Sequence, residues 1–194
     1  MKKKIFYWAP CLNKVGTVIS SKNSAISLAK YQKRNYEVAI INACGEWDEY
    51  KKEIINNNIK LVNLTFSFHN ILPKTGFLKS RISYLIIYLI CFIPLVICLK
   101  KHKPDFMILH LITSLPLTIL NIFSFKTKFV LRISGMPKLN FLRKLFWKYS
   151  SKNLYKITCP TQELLNKIIS QKIFEETKLF YLQDAILNLD NFKN

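Results

Sequence analysis

The stretch Lys103-Pro104-Asp105-Phe106-Met107-Ile108-Leu109-His110 decides the fold class of this chain. Pro104 cannot continue a helix, because its ring removes a backbone N–H donor, so the turn around it ends any helix that precedes it. The residues that follow, Phe106 to His110, predict a β-strand. The run is apolar without alternation, which is typical of a strand buried on both faces in the middle of a parallel sheet.

Strand-like and helix-like segments alternate outward from this stretch in both directions. The predicted strands are Ile5 to Ala9, Glu37 to Cys44, Lys60 to Leu64, Phe106 to His110, Lys128 to Ile133, Lys156 to Cys159 and Lys178 to Leu182. The predicted helices are about Thr17 to Asn35, Glu46 to Asn56, Ile82 to Leu99, Ser114 to Phe123, Leu139 to Lys152 and Thr161 to Ser170. We therefore expect the α/β class, as a single domain with a Rossmann-like, doubly wound parallel sheet whose ligands sit at the carboxyl ends of its strands. Ser114 is the expected N-cap of the helix that it begins.

The charge balance of the chain is strongly positive. Thirty Lys and Arg residues against eleven Asp and Glu residues give a formal net charge of +19, and no acid occurs from Phe106 to Gln162. Such a surplus favours anionic partners such as nucleic acid, anionic lipid or phosphorylated substrates. The chain has no recognition-helix, RNP or OB-type signature, so we expect no nucleic-acid partner and favour an anionic membrane surface.

The segment Ile82 to Leu99 carries no charge and is bounded by basic residues at both ends. Its length is about the minimum for a membrane span, so one interpretation is a single-pass helix that is kinked at Pro94. The other is a long helix that is buried on most of its circumference or lies against lipid. The strands on either side have to pair on the same side of a membrane, and this requirement favours the second interpretation.

The N-terminus does not have the pattern of a secretory signal. The apolar stretch after Met1-Lys2-Lys3-Lys4 is short, contains Pro10 and ends at Lys14 without a small-residue cleavage site. Signal peptides need a longer apolar region and such a site, so we expect a cytoplasmic protein, peripheral on the inner face of the cell membrane.

The five cysteines stand in apolar contexts without the spacing of a metal site. We expect them to be buried in the core as free thiols of a reducing cytosol. The chain also lacks the Asp-x-Asp pattern that holds a divalent ion on a sugar diphosphate, so no metal and no cofactor is expected.

The loops at the carboxyl ends of the predicted strands contain the candidate site residues. Gly16, in the first strand-helix loop, lets backbone N–H groups approach a phosphate, although a turn-closing role is an equal alternative. His110 ends the central strand and is the candidate catalytic residue, as a base or hydrogen-bonding group for an acceptor hydroxyl; a packed histidine is the alternative.

A second group of candidates follows the fifth and sixth predicted strands. Arg132, with Ser134 and Gly135 beside it, suits bidentate binding of a diphosphate, and a purely structural arginine is the alternative. Thr161 is a further phosphate-binding candidate, but its position favours a helix N-cap.

The predicted helix Leu139 to Lys152 combines basic and aromatic residues. Phe141, Leu142, Leu145, Phe146 and Tyr149 share one side, and Lys144, Lys148 and Lys152 the other. This composition suits an interfacial helix on anionic lipid, and an ordinary surface helix is the alternative. The expected membrane-contact residues are Arg143, Lys144, Trp147, Lys148 and Lys152.

The chain resembles the N-terminal, acceptor-side domain of the family 4 glycosyltransferases. The segments that carry the resemblance, in order, are Phe6 to Gly16, Lys103 to His110, Arg132 to Pro137 and Thr158 to Thr161. Phe180 to Ile186 is similar to the interdomain hinge of that family, with Ala185 where Pro is usual. Members of this family are retaining nucleotide-sugar enzymes with two facing Rossmann-like domains, an arrangement called GT-B.

The resemblance implies a division of the chain and a function. Residues 1–186 are expected to form the acceptor-side domain and residues 187–194 the start of the hinge or tail, with the donor-binding domain absent. The implied reaction is hexosyl transfer from a nucleotide-sugar to a lipid-linked or glycan acceptor in cell-surface polysaccharide biosynthesis, of which this chain supplies only the acceptor-binding half. A truncated gene, a fragment or a two-polypeptide enzyme with a separate donor-binding polypeptide is then implied. A non-catalytic, membrane-associated relic or subunit anchored by residues 82–99 is the alternative.

Overall fold

Seven strands form one parallel sheet in the computed structural model, which describes residues 2–13, 16–74 and 76–185. They are β1 (Lys3–Trp8), β2 (Tyr36–Asn42), β3 (Lys60–Asn63), β4 (Phe106–Leu109), β5 (Lys128–Arg132), β6 (Lys156–Cys159) and β7 (Leu179–Tyr181). Their order in space is β3-β2-β1-β4-β5-β6-β7. The predicted α/β doubly wound sheet is confirmed, and the apolar strand β4 pairs with β1 on one side and with β5 on the other.

Within the described residues six α-helices connect the strands, close to the positions that the sequence predicts. They are α1 (Gly16–Tyr31), α2 (Lys51–Asn56), α3 (Phe77–His102), α4 (Ser114–Ile122), α5 (Phe141–Ser151) and α6 (Gln162–Ser170). The prediction for Glu46 to Asn56 is too long at its start, because the α-helix begins at Lys51 after a short 3-10 helix, Asp48–Tyr50. The N-cap prediction for Ser114 is wrong by one position, because Thr113 occupies that place and makes no side-chain capping bond. The long helix also begins at Phe77, earlier than the uncharged segment alone indicates.

The helices form two layers, one on each face of the sheet. Alternate side chains of β1 and β2, among them Tyr7 and Ile40, pack with Val18 and Ile26 of α1 and with Ile54 of α2. The intervening strand residues face the other way and share a core cluster with α3, α4, α5 and α6. Because strand side chains alternate between faces, the two clusters are separate cores on opposite sides of one sheet.

Helix α3 is the crossover between β3 and β4 of the same sheet. Ile87, Cys91, Leu95 and Leu99 recur along one side of it and are almost completely buried in the core. A helix that buries one side against its own sheet has only the other side available to lipid, as in the second interpretation of this segment. By length and composition alone, the helix Leu78–His102 is apolar enough to cross a membrane. No other helix among the described residues meets this criterion.

All five cysteines are buried as free thiols, as the sequence predicts. Burial raises the pKa of Cys11 and of Cys91 to about 12 and that of Cys98 and of Cys159 to about 11. Thiols with such pKa values stay protonated at neutral pH and act as small apolar side chains.

The turn after β2 requires a glycine. Gly45 has a φ of +99°, and a Cβ atom placed there would lie 1.9 Å from Oγ of Ser67. This turn directs the carboxylate of Glu46 back onto the N–H groups of Ala43 and Cys44, at 2.9 Å and 2.7 Å. Gly135 has no atom within 4 Å of its Cβ position and no positive φ, so it provides a matched comparison.

We predict that Gly45→Ala lowers the free energy of unfolding by about 1–3 kcal/mol, because the left-handed backbone strains any side chain and Ser67 has to move. Gly135→Ala should leave it nearly unchanged. Urea denaturation followed by far-UV circular dichroism measures both. Equal stability of the Gly45→Ala variant and the parent would contradict the argument.

Candidate functional site

A cavity of about 600 Å³ lies at the carboxyl edge of the sheet, between the parallel strands β1 and β4, where the chain passes to one face after β1 and to the other face after β4. The loops after β1 and β4 form its floor, with Leu12 and Ile112 among the lining residues. Tyr84 of α3 and Leu142 and Phe146 of α5 form its walls. This is the position at which doubly wound sheets bind ligands.

The walls of this carboxyl-edge cavity are mostly apolar, and its one charged lining side chain among the described residues is Arg143. The Arg143 guanidinium is exposed and donates one hydrogen bond to the Lys138 carbonyl at 3.1 Å, which leaves further donors open to the cavity. Thr113 and Ser114, at the start of α4, also line it. A ligand that is apolar along most of its length and anionic at one end would match this lining.

Arg132 does not lie in this cavity. Its Nε and Nη2 atoms donate to Oδ1 of Asp184 at 2.8 Å and 2.6 Å, and Nη2 also donates to the Leu182 carbonyl at 2.8 Å. Nη1 donates to the Thr158 hydroxyl at 3.3 Å, and Ser20 of α1 donates to the same Asp184 oxygen. The diphosphate-clamp prediction is therefore corrected: this guanidinium is held in an internal ion pair, which was the structural alternative.

His110 lies beside Arg132 on the α1 side of the sheet. Its ring stacks on Tyr7 with the centroids 6.2 Å apart, and neither ring nitrogen has a hydrogen-bond partner. Burial first, and then the positive charge of Arg132, lower the pKa of His110 to about 3. A histidine with this pKa is neutral at physiological pH, and here it is almost fully buried in the manner of the packed alternative.

The remaining loop candidates are not brought together with Arg143. Thr161 caps α6, where its hydroxyl accepts a hydrogen bond from the Leu164 N–H at 3.1 Å, so the capping role is confirmed. Gly16 is the first residue of α1 and Gly135 is exposed, and both have open space around them. The Ser134 hydroxyl is buried and has no partner.

Helix α5 exposes much of its apolar surface together with its cations. Phe141 and Leu142 are 78% and 72% exposed, and Leu145 and Tyr149 are also largely exposed. Arg143, Lys144, Lys148 and Lys152 are exposed, and their membrane contact stays a prediction. Trp147 is the exception and corrects its predicted membrane contact: it is buried in the core with its ring 5.6 Å from that of Phe174.

Sequence reasoning missed Tyr84, Thr113 and Glu46 as residues of this edge of the sheet, because none of them belongs to a recognisable motif. Tyr84 reaches the cavity because α3 begins near the carboxyl ends of the strands, and this position follows from the packing of α3 on the sheet. Glu46 is buried next to the cavity loops, and its burial raises its pKa. Within the described residues no group of three metal-ligating side chains converges.

No family model matches the chain, and no curated protein sequence matches it. Solved structures match over almost the whole chain. A glycosyltransferase from Rickettsia africae ESF-5 matches with a TM-score of 0.62 and 15% identity over 99% of this chain and 45% of that one. UGT73P12 of Glycyrrhiza uralensis, complexed with glycyrrhetinic acid 3-O-monoglucuronide, matches with a TM-score of 0.63 and 10% identity over 94% and 48%.

A third similar structure is a Listeria monocytogenes protein assigned as a UDP-N-acetylglucosamine 2-epimerase, with a TM-score of 0.63 and 10% identity over 93% of this chain and 44% of that one. The chain has the fold of one half of a GT-B protein. It spans slightly less than half the length of each of these structures. At such identities the likeness shows the fold alone, so membership of family 4 stays a prediction.

We predict that Arg132→Met lowers the free energy of unfolding by about 3 kcal/mol, because Asp184 then loses its cation in a largely buried place. Urea denaturation measures the change. Glu163→Gln, which removes an exposed ion pair with Lys167 on α6, is the control and should leave the midpoint unchanged. If the Arg132 and Glu163 variants had the same midpoint, the internal role of Arg132 would be rejected.

We predict that His110 makes the fold less stable in acid. Its folded pKa of about 3 lies below the ordinary value of 6.5. As the pH falls through the interval between these values, the unfolded chain takes up a proton that the folded chain does not. The free energy of unfolding therefore falls by up to about 1.4 kcal/mol per pH unit. In His110→Phe this contribution disappears. Urea titrations between about pH 7 and about pH 5 should therefore show that the free energy of unfolding depends less steeply on pH in the variant than in the parent. Parallel slopes in the two proteins would contradict the pKa assignment.

Proposed function

We propose that the chain is the acceptor-binding half of a glycosyltransferase, with the acceptor held in the carboxyl-edge cavity. The observation that carries the proposal is the combination of a GT-B half-domain fold with an apolar cavity at the strand ends that has Arg143 at its rim. The similar Rickettsia africae structure is itself a glycosyltransferase. The proposed reaction is hexosyl transfer from a nucleotide-sugar.

The lining of the cavity favours a lipid-linked acceptor over a free glycan. A sugar chain presents hydroxyl groups and is usually bound by many polar side chains, whereas this cavity offers Leu12, Leu142, Phe146 and few polar groups. The apolar walls would bind a polyprenyl-type chain, and the guanidinium of Arg143 would bind its diphosphate. Assembly of cell-surface polysaccharide on the inner membrane face is the process that such an acceptor suits.

The donor half of the reaction is proposed to come from a second Rossmann-like unit. The chain spans less than half the length of each of the three similar structures described above, and we assign the nucleotide-sugar site to the part of such a protein that this chain does not span. A separate donor-binding polypeptide would face the carboxyl edge of this sheet, where the acceptor cavity opens.

Acceptor binding tests the proposal directly. A short-chain polyprenyl diphosphate-linked sugar, titrated into the protein by isothermal calorimetry, should bind. Leu142→Asp should weaken the affinity at least about tenfold, because burying a carboxylate against the lipid chain is costly and its charge repels the diphosphate. Leu145→Asp is the matched control: this leucine is exposed on the same helix but does not line the cavity.

Three outcomes would overturn the proposal. They are absence of binding, equal loss in the Leu142 and Leu145 variants, and binding of UDP-N-acetylglucosamine without any acceptor. The last outcome would favour the reaction class of the similar 2-epimerase.

A further inference from the structure

The solvent side of α3 presents a continuous row of large apolar side chains. Leu78, Ile82, Leu85, Leu89, Ile93 and Ile97 form this row, which we call the α3 row, and each is between 54% and 73% exposed. The spacing of three and four residues places them on one side of the helix. Over these residues the row extends for about 28 Å, given the rise of an α-helix. Soluble proteins rarely leave so long an apolar surface open without a partner.

The charged residues of the row's own helix, α3, are all basic. Lys79 and Lys100 each lie three residues beyond an end of the stretch Ile82 to Ile97 and are exposed. Between Ile54 and Gln162 the sequence contains a single acid, Asp105, so α3, α4 and α5 carry none. On the same side of the sheet α5 exposes Phe141 and Leu145 beside its Lys residues. Apolar side chains with basic residues around them complement an anionic lipid surface.

We propose that the α3 row docks the protein on an anionic bilayer, with α3 lying in the plane of the interface and not across it. The side of α3 opposite the row is committed to the core through Ile87, Cys91 and Leu95. Lipid therefore reaches only one side of the helix, which enters the acyl boundary to a depth of one side-chain layer.

A second copy of the chain is the less favourable occupant of this surface. Two α3 rows that face each other would bring together two copies of a helix that carries basic residues and no acid. Like charges at a contact repel, whereas anionic head groups neutralise them. A bilayer therefore satisfies both the apolar row and the cations around it.

The docking surface and the acceptor cavity share a boundary. Tyr84, which follows Ile82 in the first turns of α3, lines the cavity together with Leu142 and Phe146 of α5. A protein held by the α3 row would have the cavity close to the head-group layer. Docking does not depend on glycosyl transfer, since it is measured without any substrate.

Vesicle flotation of the purified full chain tests the inference. The parent should float with phosphatidylglycerol vesicles, float less with phosphatidylcholine vesicles, and be released as salt is raised. Leu89→Glu with Ile93→Glu should lower the lipid-bound fraction by at least about tenfold, since two side chains lose their contact with acyl chains. Ile19→Glu with Ile55→Glu is the matched control, on exposed positions of α1 and α2 on the other face of the sheet, and should bind as the parent does.

The orientation of the helix has its own measurement. The variants Leu85→Trp, Leu89→Trp and Ile97→Trp each add one tryptophan to a parent whose own three tryptophans are buried. Brominated lipids should quench each added tryptophan at a similar, shallow depth, as measured against the parent. Deeper quenching at Leu89 than at Leu85 and Ile97, with resistance to an alkaline wash, would indicate a span and overturn the proposal. So would the absence of vesicle binding, equal loss in the α3-row and control variants, or a concentration-dependent dimer that the α3-row variant abolishes.

Discussion

The pairing of β4 with both β1 and β5 is the constraint on which the rest of this structure depends. It brings the sheet together from two halves that are distant in sequence. It also makes α3 a crossover that begins after β3 and has to return to the centre of the same sheet. From that requirement follow both the buried side of α3 and the exposed α3 row. The carboxyl-edge cavity lies at the same pairing, since the loops after β1 and β4 leave the sheet in different directions.

The two faces of the sheet have different chemistry. On the α1 side, polar groups are matched internally: Arg132 with Asp184, Tyr7 with Ser24, and Lys22 with Glu53. On the other face α3 and α5 contain basic residues, α3, α4 and α5 contain no acidic ones, and all three expose large apolar side chains. This composition is the basis of the proposed contact with an anionic lipid surface.

Much of the fold follows from sequence periodicity, because each strand is a short apolar run and each helix has a regular apolar side. The site was less accessible to such reasoning. Arg132 and Ser134 stand at a strand end, where ligands bind, but sequence position cannot tell that Asp184 lies 52 residues away in the chain and within hydrogen-bond reach. Trp147 lies on a helix with an obvious basic side, yet its burial depends on Phe174, which belongs to a later segment.

The ion pair of Arg132 with Asp184 has a mechanical consequence. Asp184 follows the short edge strand β7, and its oxygen is held both by the guanidinium at the end of β5 and by Ser20 of α1. A force applied to the chain beyond Ala185 is therefore transmitted past β7 into the interior of the sheet and into the first helix. These bonds oppose the separation of β7 from the sheet. Movement of any unit attached there would be transmitted through Asp184 to α1.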